Sequence, residues 1–101
     1  MGKIRAIIKR PDEEYGHMTH ISSSLKNLQN IVGGYIDVVE VDDLTVICNE
    51  EGKIIGLDEN IKCYDDVFVG TIVICGEENE KFADIPVSFD EWKKIADSWR
   101  N

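Results

Sequence analysis

The chain has 101 residues, 43% hydrophobic and 31% charged, with 20 acidic against 11 basic side chains and a net charge of −9. A sequence of this length and balance is expected to form one domain over residues 1–101, with one modest core and no room for a large enclosed active site, and its composition excludes wholesale disorder. Its acidic surface repels nucleic acid and anionic membranes, although residues 1–10 carry Lys3, Arg5, Lys9 and Arg10 without an acid and leave −13 on the rest.

The segment Lys3–Lys9 alternates loosely and runs into Pro11, which predicts a strand ending there. The start, Met1-Gly2-Lys3-Ile4-Arg5, reads as the approach to that strand rather than as a signal peptide or a myristoylated end. No apolar run approaches membrane-spanning length, and a cytoplasmic protein is expected. Residues 12–20 are polar, include Gly16 and read as a loop or hairpin tip. Serines 22–24 offer N-caps to a helix whose apolar face is Leu25, Leu28 and Ile31/Val32, and Gly33 suits its C-cap. A strand over residues 35–41, a tight Asp42-Asp43 turn and a returning strand Leu44–Asn49 form a hairpin.

Residues 50–53 read as a second turn, with Gly52 as the position that needs positive φ. Ile54-Ile55 suggests a short strand, residues 56–66 an irregular crossing, and residues 67–75 the most apolar and central strand, interrupted at Gly70-Thr71. Ser88-Phe89-Asp90-Glu91 is a capping box, followed by an apolar stripe of Phe89, Trp92, Ile95, Ala96 and Trp99 that predicts a helix packed on the sheet. The fold class is therefore α+β: a mixed, mainly antiparallel sheet with one helix after the first strand and a C-terminal helix. The three cysteines, 48, 63 and 75, match no metal or disulfide spacing. Cys48 and Cys75 read as small core residues and Cys63 as the exposed one.

Chemical motifs are sparse. No phosphate-binding loop, nucleophile elbow or zinc-protease helix occurs, no nucleophile–base pair can be named, and no cofactor is expected; the reading is a non-enzyme. Acidic clusters fall mainly at turns, where turn chemistry and solubility account for them. A hard-cation site from Glu50, Glu51, Asp58, Asn60 and Asp65, and mimicry of DNA by carboxylates, are the functional alternatives. His17 and His20 are three apart in a polar segment and read as exposed. The most informative feature is Gly33-Gly34, where a helical pattern gives way to a strand. Two glycines there imply bare main-chain N–H groups that a ligand can approach. The turn Asn49-Glu50-Glu51-Gly52-Lys53 adds amide, carboxylate and ammonium groups suited to a polar small molecule.

Ile31-Val32-Gly33-Gly34-Tyr35-Ile36-Asp37-Val38-Val39, then Cys48-Asn49-Glu50-Glu51-Gly52-Lys53, Gly56-Leu57 with Asn60, Val69-Gly70-Thr71 and Gly76 together resemble domain-of-unknown-function family 3846. The likeness covers roughly residues 3–76; the tail from Glu77 is less distinctive, and Asp58 stands where the pattern has proline. The resemblance implies phage or mobile-element origin, no catalytic residues and a role in countering host defence. The expected function is sequestration of a nucleotide-derived immune signal without cleavage. Its site is expected to combine Gly33, Gly34, Asn49, Glu50, Asn60 and Thr71 near strand ends, Tyr35 (or Tyr64) for stacking, and Arg5, Lys9, Lys53 and Lys62 for charge. A homo-oligomer is expected to complete the pocket, with no membrane or direct nucleic-acid partner. The alternative is an acidic, DNA-mimic-like inhibitor that binds a host defence protein.

Overall fold

The computed structural model describes residues 2–101. Strand β1 (Lys3–Lys9) sends Ile4 and Ala6 to one side and Ile7 to the other, and all three are buried. Burial of both faces explains why β1 alternates only loosely, and it makes the sheet the middle of three layers. The strands β2 (His17–Ser22), β3 (Ile36–Val41), β4 (Leu44–Asn49) and β7 (Ile72–Glu78) join β1 in the order β2-β1-β7-β4-β3, with every pairing antiparallel. A short β8 (Lys81–Ala83) folds back on the outer half of β7, and β5 (Glu59–Cys63) and β6 (Asp66–Val69) form a separate hairpin. The protein is α+β with a mainly antiparallel sheet, as the sequence predicts, and β7 is indeed central.

Helix α1 (Leu25–Val32) covers one face through Leu28 and Val32, which pack with Ile4, Ala6, Ile21, Ile47, Val73 and Cys75. Helix α2 (Phe89–Arg100) and the β5–β6 hairpin cover the other, over Ile7, Leu44, Val46, Ile72 and Ile74. The capping box at Ser88 and Glu91 is formed. Trp92 and Trp99 are fully buried and meet edge to face at 5.2 Å between centroids. Their indole N–H groups donate to Tyr15 O and Asp42 Oδ2, both at 2.8 Å, so two large apolar bodies are buried with no orphaned donor. Asp42 and Asp43 both take positive φ (52° and 65°), as a two-residue hairpin turn requires.

The differences from the sequence reading have local causes. Residues 17–20, read as loop, begin β2, because the polar side chains of an edge strand need no apolar alternation. Ile54-Ile55 is not a strand: Ile55 N–H donates to Glu51 O in a helical turn, and both side chains stand in solvent. The positive φ in this turn falls on Gly56 (76°), while Gly52 is buried where a Cβ would lie 2.8 Å from Val69 Cγ2. Residues 56–66, read as irregular, contain β5. Residues 67–75 form two strands in different sheets, because Gly70 at φ 73° turns the chain from one layer into the next. Cys63 is buried against α2, and Cys48 is the half-buried one.

At the free edge of the main sheet, the Asp37 carboxylate accepts a hydrogen bond from Val38 N–H at 3.0 Å. In a two-residue hairpin the residues flanking the turn face each other's amides, so Val41, Val39 and Asp37 point theirs at β4 and Val38 points its N–H outward.

Candidate functional site: a recess at the end of helix α1

The C-terminus of α1 and the turn after β4 are joined by one side chain. Gly33, at φ 83°, closes the helix, and the N–H groups of Gly33 and Gly34 both donate to Gln29 O at 2.8 and 3.1 Å. This is the doubled closure that left-handed glycine permits at a helix end. Asn49 is buried beside it. Its Nδ2 donates to Val32 O at 3.2 Å, and its Oδ1 accepts from Glu51 N–H at 2.8 Å. Glu50 N–H donates to Tyr35 O at 2.8 Å. A Cβ on Gly34 would lie 2.9 Å from Asn49 Nδ2, so the second glycine is the space that Asn49 needs.

The expected bare amides are therefore a correction: the protein's own carbonyls already engage them. A recess does lie alongside, about 430 Å³ in volume, lined by Gln29, Asn30, Gly33, Gly34, Tyr35, Asn49, Glu51 and Ile55. Gly33 and Gly34 contribute backbone to its lining. Tyr35 is 70% exposed and Ile55 58% exposed, and neither takes part in the core. Exposed apolar side chains also occur at Leu25, Val38, Ile54 and Tyr64, but none of these lines this recess.

Of the residues expected to bind, Gly33, Gly34, Tyr35 and Asn49 come together here. Glu50 lines a small cleft of about 160 Å³ between β3–β4 and β6, where Lys53 is tied to Asp66 at 2.5 Å. The partnership with Lys53 holds the Asp66 carboxyl below its usual range. Arg5 donates through Nη2 to Ile85 O at 2.9 Å. Lys62 sits on a shallow surface with Glu59, Asp65 and Asp66. Thr71 lies half-buried in the link between β6 and β7. Lys9 is completely buried: its Nζ donates to Asn60 Oδ1 at 2.8 Å and to Asn60 O and Arg10 O at 3.3 and 3.4 Å, while Asn60 Nδ2 returns bonds to Lys9 O and Gly70 O. Lys9 and Asn60 are thus neighbours, as a pin between the main sheet and the β5–β6 hairpin rather than as ligand groups. Burial, with Arg100 nearby, lowers the Lys9 pKa to about 8.

Sequence reasoning missed Gln29, Asn30 and Ile55, and placed Glu51 in the polar turn and the cation alternative without assigning it to the site. The available signal is Ile54-Ile55, an apolar pair inside a segment of glycine and charge, whose pattern alone suggests a strand. Beside β8, a strand too short for the sequence pattern to signal, lies a second hollow of about 800 Å³. It gathers Glu40, Asp43, Glu77, Glu78 and Asp84 with Thr45. Thr45 Oγ1 donates to both Glu40 oxygens at 2.9 and 3.0 Å, and the hydrogen bond and charge of Glu40 raise the Glu77 pKa. Among the described residues, no group of three or more His, Cys, Asp or Glu side chains is assembled to hold a metal ion. His17 and His20, three apart on β2, face opposite sides of the sheet. Among the described residues no helix is long and apolar enough to cross a membrane.

No curated protein and no solved structure matches the chain. The sequence pattern of one family, described as Domain of unknown function (DUF3846), matches residues 4–98, which carries the likeness past Gly76 through β8 and into α2. The glycine pair, Asn49 and the turn they clamp, like the strands and helices around them, are those of a member of that family, to which this chain belongs.

Proposed function

We propose that this chain is a counter-defence binding protein that sequesters a nucleotide-derived immune signal without cleaving it, in the recess at the end of α1. The observation that carries the reading is that two exposed side chains outside the core, Tyr35 and Ile55, line one recess together with the Gly33-Gly34 backbone. Tyr35 offers a stacking face and Ile55 an apolar surface to a flat ring, and the surrounding amides and carboxylate recognise by hydrogen bonding. The setting, a phage or mobile element acting in the cytoplasm of its host, rests on the family resemblance and belongs to the same proposal. So does a homo-oligomer, which would deepen a recess that one copy leaves shallow; sedimentation velocity tests it.

Isothermal titration against cyclic di- and trinucleotides and cyclic ADP-ribose variants tests the function. Saturable heat with at least one of them, recovery of that compound intact, and its loss in Tyr35→Ala are the expected results. No heat with any compound, at concentrations up to the millimolar range, refutes it.

A second reading rests on the acidic hollow of Glu40, Asp43, Glu77, Glu78 and Asp84. Five carboxylates around one cavity suit the basic surface of a defence protein that normally grips DNA. Glu77→Lys with Glu78→Lys then abolishes inhibition of that protein while the fold persists. Undiminished inhibition by the double variant removes this reading. Asp42 is unsuitable for the same test, because its carboxylate is bonded to Tyr64 and Trp99.

A further inference from the structure

We infer that the recess at the end of α1 selects a guanine base, read by the Glu51 carboxylate, and leaves any phosphate in solvent; this rests on the ligand-binding reading above and names its substrate class. Glu51 is the only ionisable carboxylate or ammonium residue among the described residues that line this recess. Its backbone N–H is fixed by Asn49 Oδ1 at 2.8 Å, which anchors the residue at the rim. Its carboxylate takes part in no ion pair among the described residues. The nearby ammonium, Lys53, is already held by Asp66 at 2.5 Å.

A carboxylate offers two parallel acceptors and no donor. Of the common bases, guanine alone presents two adjacent donors on one edge, the ring N1–H and the exocyclic N2 amine. Adenine and cytosine place a ring acceptor beside their amine, which a carboxylate repels. Uracil places its single N–H between two carbonyl oxygens. The amides of Gln29 and Asn30, which can donate or accept, suit the remaining polar atoms of the ring, and Tyr35 supplies a stacking face. With a carboxylate present and no cation among the described lining residues, the same hollow gives a phosphate no countercharge and repels it.

The test is titration calorimetry of the full chain with guanosine, inosine, adenosine and guanosine 5′-monophosphate, beside Glu51→Gln. Guanosine is expected to bind at least about tenfold more tightly than inosine, which lacks the 2-amino group, and than adenosine, the discrimination that a bidentate pair supplies. The monophosphate is expected to bind no more tightly than guanosine. Glu51→Gln is expected to lose the preference for guanosine with an unchanged thermal unfolding profile. Equal or tighter binding of adenosine, a monophosphate more than tenfold tighter than guanosine, or a Glu51→Gln variant that keeps the preference overturns the assignment of guanine while leaving nucleotide binding standing. Absence of binding by every nucleoside and nucleotide in this set and in the cyclic panel overturns both.

Discussion

Replacing Lys9 with methionine makes the energetics of the buried pin measurable. The ammonium is fully buried and faces three carbonyl oxygens with no carboxylate in contact, and its pKa falls from 10.5 to about 8, chiefly through burial. The unfolded chain keeps the Lys9 proton up to about pH 10.5, whereas the folded chain gives it up near pH 8. Between these values the unfolded state binds more protons, so stability attributable to Lys9 rises with pH through that window. Below pH 8 both states are protonated and the contribution is flat. A fall of this size corresponds to about 3 kcal/mol. Lys9→Met cannot titrate, so the stability of the natural chain relative to the variant should climb by about 3 kcal/mol between pH 7 and pH 10.5. Guanidinium unfolding followed by circular dichroism on both proteins at stepped pH gives that difference, and subtraction cancels the tyrosines and cysteines that also titrate. Parallel curves across the whole range would show that the Lys9 ammonium is not desolvated, and the account of the pin would fail.

Gly34→Ala forces a methyl to within 2.9 Å of the bonded Asn49 amide and is expected to cost about 1–3 kcal/mol, read as a lower denaturation midpoint; a neutral effect would mean that Asn49 is free to move aside. Glu80 sits at φ 64° in the β7–β8 turn, so Glu80→Gly should relieve strain and raise stability by about 1 kcal/mol, a Tm increase of roughly 4–8 °C by calorimetry.

Periodicity was legible wherever one physical term dominated. Leu25, Leu28 and Val32 mark α1, Ser88 and Glu91 fix the start of α2, and the paired aspartates join β3 to β4, because each rests on local geometry that neighbouring residues determine. Tertiary context wrote the rest. The polar edge strand β2 earns its place from β1, not from its own pattern. Gly70 divides an apolar run between two layers, which no period can announce. In the candidate site, the glycine pair was located correctly, but its chemistry was inverted: the amides that seemed free serve the helix end, and the side chains that stand free are Tyr35 and Ile55. Charge misled for a related reason. A lysine in an N-terminal basic run reads as a surface cation, and only the arrival of Asn60 from 51 residues away turns Lys9 inward.

The Asp37 carboxylate over Val38 N–H bears on how copies of this chain can meet. A strand arriving at the β3 side finds an outward amide already occupied and a negative charge in its path, so the ladder cannot grow outward there without displacing both. The β3 edge is thereby protected against continuous main-chain pairing, the route by which exposed strands extend into fibres.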